Sequence, residues 1–169
     1  MRLYSGKVPT IAGEVVRVLS SDGDIEAENL HEVDLDVQAV LNNYLTIERE
    51  ATEKAKDLIQ TRGLPQTEFA RMKKLAAEQK GIKIGDEMLD HLLDQIVEIL
   101  MHSSNVEEVF APDVEMRRKM APILKKHMAV EEEIEQEIRG QLKHVTEGTR
   151  TWEVEYARIK EEIKRRKGV

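Results

Sequence analysis

The sequence predicts an all-α protein of two tandem three-helix units with long central helices, residues 1–81 and 82–169, packed as one compact body. Three observations predict it. Charged residues make up 35% of the chain and aromatics 4%, with only 4 prolines, a balance typical of soluble helical proteins. Apolar residues recur at helical spacing through most of the chain. Finally, FARMKKLAAEQKG (Phe69 to Gly81) and YARIKEEIKRRKG (Tyr156 to Gly168) share 5 identities over 13 positions, 87 residues apart.

Taken in order, each unit predicts the same three helices. The first places Ile11, Val15, Val18 and Leu19 on one face, and Leu92, Ile96, Ile99 and Leu100 repeat that face at an offset of 81. Pro9 suits a first turn, and Asp86 is a candidate cap for the second copy. The polar breaks SSDGDIEAEN and HSSNVEEVFAPD end these helices near Ser20 and near Met101 or His102. A long second helix carries Val33, Val37, Val40, Leu41, Ile47, Ala51, Ala55 and Ile59. At an offset of 83 these become Met116, Met120, Ile123, Leu124, Val130, Ile134, Ile138 and Leu142. Arg62-Gly63-Leu64-Pro65 and Glu147-Gly148-Thr149 are its expected stops. In the third helix Phe69, Met72 and Ala76 answer to Tyr156, Ile159 and Ile163, with Gly81 and Gly168 at the ends. Pro122, opposite Ala39, predicts a kink or a separate short helix from Asp113 to Ala121, and Gly140 weakens the second copy of the long helix further. A very short β ribbon is expected at the start of each unit, from Arg2-Leu3-Tyr4 and Ile82-Lys83-Ile84.

Composition also excludes chemistry. Without cysteine there is no disulfide, thiolate zinc site, iron–sulfur cluster or cysteine nucleophile, and a reducing cytoplasm fits. The opening MRLYSGKVPT lacks the apolar core of a signal peptide, and no stretch approaches the roughly 20 apolar residues of a membrane span. The expectation is a soluble cytoplasmic protein with no membrane partner. A net charge of −7 disfavours indiscriminate nucleic-acid binding.

The opening RLYSGKVPTIAGEVVRVL, the break GDIEAEN and above all EGTRTWEVEYARIKEEIKRRKG, Glu147 to Gly168, resemble an uncharacterised bacterial family, domain-of-unknown-function family 507. The likeness runs the whole length and is most specific around Trp152. It implies a bacterial, soluble, largely helical protein with no assigned activity, and it carries over no catalytic or ligand-binding residue.

Candidate sites are few. Asp86, Glu87, Asp90, His91, Asp94, Glu98 and His102 form a cluster on one helix in which Asp86, Asp90 and Asp94 stack and His91 lies one turn from Glu87, and Asp90, His91 and Asp94 are weak candidates for a divalent metal. The Glu-x-x-His spacing of di-iron bundles is absent. Thr10 and Ser21 occupy the places of His91 and His102 in the first unit, so the reading favoured is a solvated polar face with no metal and no cofactor. His127 takes the place of Tyr44 and reads as a bonded core or interface residue, while His31 and His144 read as surface. No serine triad, phosphate loop or Gly-Lys-Ser/Thr motif is present, so no catalytic residue is assigned and the chain leans away from an enzyme.

Lys160, Lys164, Arg165, Arg166 and Lys167 crowd the last turns, where cations complement a helix C-terminus. Lys125 and Lys126, with Arg117, Arg118 and Lys119, extend them into a patch if the long and third helices lie side by side. Trp152 and Tyr156 share a face and read as core, leaving no stacking platform for bases. Glu50 to Lys54 reads as a helix-supporting pair. The favoured function is a non-enzymatic adaptor or scaffold binding another protein through Lys160, Lys164, Arg165, Arg166, Lys167, Lys125 and Lys126. The alternative is an RNA- or ribosome-associated factor using the basic C-terminal end, and a third reading is a metal-dependent helical enzyme. Self-association into a homo-oligomer stays open, since the stripes drift from strict heptads.

Overall fold

In the computed structural model, which describes residues 1–169, the apolar stripes lie along seven helices. After a 3-10 turn at Ser5–Lys7, α1 (Val8–Ser21) starts with Pro9 in its first turn, where the missing N–H has no helical partner to lose. The Asn29 side chain accepts the His31 N–H to cap α2 (Leu30–Arg62). At 33 residues α2 is roughly 50 Å long, and it ends at Gly63, whose φ of +59° only glycine adopts without strain. Next come α3 (Phe69–Gln79), α4 (Met88–His102), α5 (Asp113–Met128), α6 (Val130–Gln141) and α7 (Arg150–Lys167). No helix is long and apolar enough to cross a membrane.

Two clusters of buried side chains hold these elements. The larger has 27 residues drawn from both sides of Gly81, with Ile11, Leu19, Leu41, Leu92, Ile96, Leu100, Met116 and Leu124 inaccessible or nearly so. Here α1 packs on α2 and α5, and α4 packs on α5 and α2, so α1 and α4 each lie between α2 and α5. The smaller cluster of 7 residues contains Tyr4, Val130, Ile134, Ile138, Leu142, Ile159 and Ile163, and it joins α6 to α7 as a separately cored hairpin arm. In the first half α3 packs on α2 with Ala51, Ala55, Met72, Ala76 and Ala77 buried, small side chains that let the two helices approach closely.

Five local expectations are corrected. The ribbon forms at neither Arg2–Tyr4 nor Ile82–Ile84 but in the two polar breaks, as β1 (Ile25–Glu26) and β2 (Glu108–Val109), antiparallel with Ile25 opposite Val109 and Glu26 opposite Glu108. The expected segments are engaged elsewhere: the Arg2 N–H donates to the Met128 carbonyl at 3.1 Å, and the Lys83 carbonyl accepts the Tyr44 hydroxyl at 2.9 Å. The second long helix runs through Pro122 and breaks at Ala129. With Arg2 on the Met128 carbonyl, the Glu132 N–H turns to Ala129 O, so an outside donor opens the helical ladder there. Asp86 makes no capping bond because a 3-10 turn, Gly85–Glu87, precedes α4. The same long helix ends at Gln141, before Glu147-Gly148-Thr149, with Leu142 buried against the arm core. Glu50 pairs with Lys80 at 2.8 Å rather than with Lys54.

Several correspondences relate the two halves of the chain. Among the matched apolar pairs, burial agrees everywhere except Ile47 with Val130 and Ile59 with Leu142. At the offset of 83, Ile25 maps to Glu108 and Glu26 to Val109, so the ribbon pairs each residue in the register a local two-fold axis requires. Flanking it are two reciprocal clasps. Lys119 on α5 reaches the loop after α1, at 2.9 Å from Asp22 and 2.6 Å from Asp24. Asp36 on α2, the counterpart of Lys119, reaches the loop after α4, bonding Ser103 and, at 3.0 Å, Asn105. Asp22 and Asp24 are the counterparts of Ser103 and Asn105, so equivalent positions make equivalent ties with different chemistry.

Candidate interaction surface

The C-terminal arm is built by α7 folding back along α6. Thr149 starts α7, its hydroxyl donating to Thr146 O at 2.8 Å and accepting the Trp152 N–H at 3.2 Å. Trp152 then stacks on Tyr156, with ring centroids 4.9 Å apart, and both pack against the arm core. The Tyr156 hydroxyl donates to Glu135 on α6 at 2.5 Å. That bond is the main reason the Glu135 carboxyl sits below its usual range, with Arg139 adding to it, and the main reason the Tyr156 phenol sits above its own.

The basic residues of α7 divide into two sets. Arg166 binds Glu137 and Lys167 binds Glu133 at 3.3 Å, so these two hold the arm together. Lys160 lies 5.7 Å from the Tyr156 ring centroid, a cation–π position. Lys164 is half-buried and Arg165 exposed, and neither has an ion-pair partner. On α5, Lys125 is exposed without a partner, whereas Lys126 lies 3.7 Å from Glu14. Arg117 binds Asp94, Arg118 binds Glu115 at 2.8 Å, and Lys119 is clasped. Since α7 packs along α6, the cations of α5 and α7 do not merge into one unpaired patch.

The acidic and histidine run on α4 is largely a solvated face. Asp86, Glu87, Asp90, Glu98 and His102 are exposed, and Asp94 is engaged by Arg117. His91 is half-buried, its ring centroid 5.9 Å from that of Tyr44, and burial holds its imidazole below the usual value. No three histidine, aspartate or glutamate side chains converge as metal ligands. His127 is buried, with Nε2 3.0 Å from Glu14 of α1. Burial alone would raise Glu14, but the His127 bond and the nearby Lys126 and Arg17 hold it below the usual carboxylate range. His31 and His144 are exposed.

Several exposed apolar residues escape the sequence reading because they lie off the stripes, among them Leu30, Leu35 and Leu75 in the first half, Val154 on α7, and Met101, Phe110 and Val114 around the connection from α4 to α5. A run such as WEVEYARIKEEIKRR offers one signal, a valine out of phase with Ile159 and Ile163. Val154 and Arg165 lie eleven residues apart, three turns, and so share one face of α7. This arrangement puts one exposed apolar residue and one unpaired cation on the same face of a separately cored arm, with Arg158, paired to Glu155 and Glu162, and Glu161 between them.

The family model described as "Protein of unknown function (DUF507)" matches residues 1–169. No curated protein matches the chain.

Proposed function

Given that the chain belongs over residues 1–169 to that family of unknown function, we propose from the geometry that it is a helical adaptor that binds another protein through the outer face of α7. The observation that carries this reading is the arm itself. A hairpin with its own core presents Val154, 59% exposed, in line with Arg165, which has no internal partner. An exposed apolar residue and an uncommitted arginine on the same helix face, about 16 Å apart along the axis, can anchor the two ends of a contact patch, since arginine and apolar anchors carry much of the energy of protein interfaces. RNA would need cations free for phosphates, and Arg166 and Lys167 are held by Glu137 and Glu133.

Affinity isolation from the native cell tests this, run with and without nuclease and repeated with the double variant Val154→Glu, Arg165→Glu. The expected result is a set of proteins that survives nuclease and is lost with the variant. Partners retained by the variant would remove α7 as the contact face, and partners lost on nuclease treatment would replace the protein with RNA.

A further inference from the structure

Each half carries a groove between the last turns of its first helix and the first turns of its long helix. One lies between α1 and α2 and includes Gly13, Arg17, Leu30 and Asp34. The other lies between α4 and α5 and includes Asp94, Glu98, Met101 and Arg117. They are the same groove twice: Gly13, Arg17 and Ser20 map to Asp94, Glu98 and Met101 at 81, and Asp34 maps to Arg117 at 83. The frame repeats while the charge changes: two positions invert, and Asp94 and Asp113 stand where the other groove has Gly13 and Leu30, so the second groove is the more acidic. Arg17 becomes Glu98 and Asp34 becomes Arg117, and neither Arg17 nor Glu98 has an ion-pair partner within the chain. Each groove also includes an exposed apolar side chain, Leu30 at 41% in one and Met101 at 52% in the other.

The two grooves flank the ribbon, because β1 connects α1 to α2 and β2 connects α4 to α5. A body with two related corners on either side of a local two-fold axis can meet a second copy ribbon end to ribbon end in two ways. Like corners can face like, which sets Arg17 on Arg17 and Glu98 on Glu98. Alternatively, unlike corners face each other, which sets Arg17 on Glu98 twice over and covers Leu30 with Met101. We propose that the ribbon end is a self-association surface and that its occupant is a second copy in the unlike arrangement, giving a closed two-fold dimer. This proposal is independent of the α7 contact face, which lies on the arm.

Sedimentation equilibrium of the full chain over a micromolar-to-millimolar series tests it. The expected result is a monomer–dimer equilibrium weakened at high salt. Arg17→Glu alone and Glu98→Arg alone should each weaken it tenfold or more with unchanged circular dichroism. An equimolar mixture of the two variants should restore dimer, since each variant then supplies the charge the other lacks. A wild-type chain that stays monomeric throughout overturns the proposal. So does a dimer indifferent to either single change, one that Arg17→Glu tightens, or a mixture that remains monomeric.

Discussion

The bond between Tyr156 and Glu135 makes the arm sensitive to pH from both sides. Glu135 has a lowered value in the folded arm, so its contribution is present above the ordinary carboxylate range and is lost as pH falls through the folded value. Tyr156 has a raised value, so its contribution is present below the ordinary phenol range near 10 and is lost as pH rises through the folded value. Tyr156→Phe should cost about 1 kcal/mol near neutrality and flatten both flanks of the stability profile. Trp152 is the only tryptophan and stacks on Tyr156, so its fluorescence during urea unfolding reads the change directly. A variant whose profile keeps both flanks would mean that the bond does not tie α6 to α7.

At the scale of elements, two glycines separate what space allows from what it forbids. A Cβ on Gly6 would stand 2.8 Å from the Gly168 carbonyl oxygen, a backbone atom rather than the end of a flexible side chain, whereas around Gly140 in α6 nothing lies within 4 Å. Gly6→Ala should therefore destabilise by about 1–3 kcal/mol, and Gly140→Ala should stabilise by up to about 1 kcal/mol. Thermal melts of the pair measure both signs, and a neutral Gly6→Ala would show that the start of the chain does not press on the end of α7. Every predicted helix has its counterpart because the spacing of Ile11 to Leu19, or of Val33 to Ala55, records one buried face. The break at Ala129 was illegible because its cause, the Arg2 N–H on Met128, lies more than a hundred residues away, while the visible suspect, Pro122, sits exposed on α5 and interrupts nothing but its own hydrogen bond.

For the whole molecule, the division into a 27-residue and a 7-residue core predicts that the arm melts apart from the body. Ile138→Ala and Leu41→Ala each empty a fully buried site and should each cost about 2–5 kcal/mol where they act. In Ile138→Ala the Trp152 fluorescence transition should precede the loss of helical circular dichroism, while in Leu41→Ala the body should lose its helices at lower urea than wild type. Coincident curves for Ile138→Ala would merge the two cores into one cooperative unit. The candidate surface was half legible at this scale. The sequence shows how many cations crowd the end of α7, but not that Glu133 and Glu137 on α6 occupy two of them, because that depends on how one helix lies along another.

The reciprocal clasps have made the halves non-interchangeable. Two copies of the first half, paired as the halves now are, would set the Asp36 carboxylate against Asp22 and Asp24. Two copies of the second would present the Lys119 ammonium to Ser103 and Asn105, with no anion to meet it. In the intact chain each of these ties therefore fits the opposite half better than it would fit a second copy of its own.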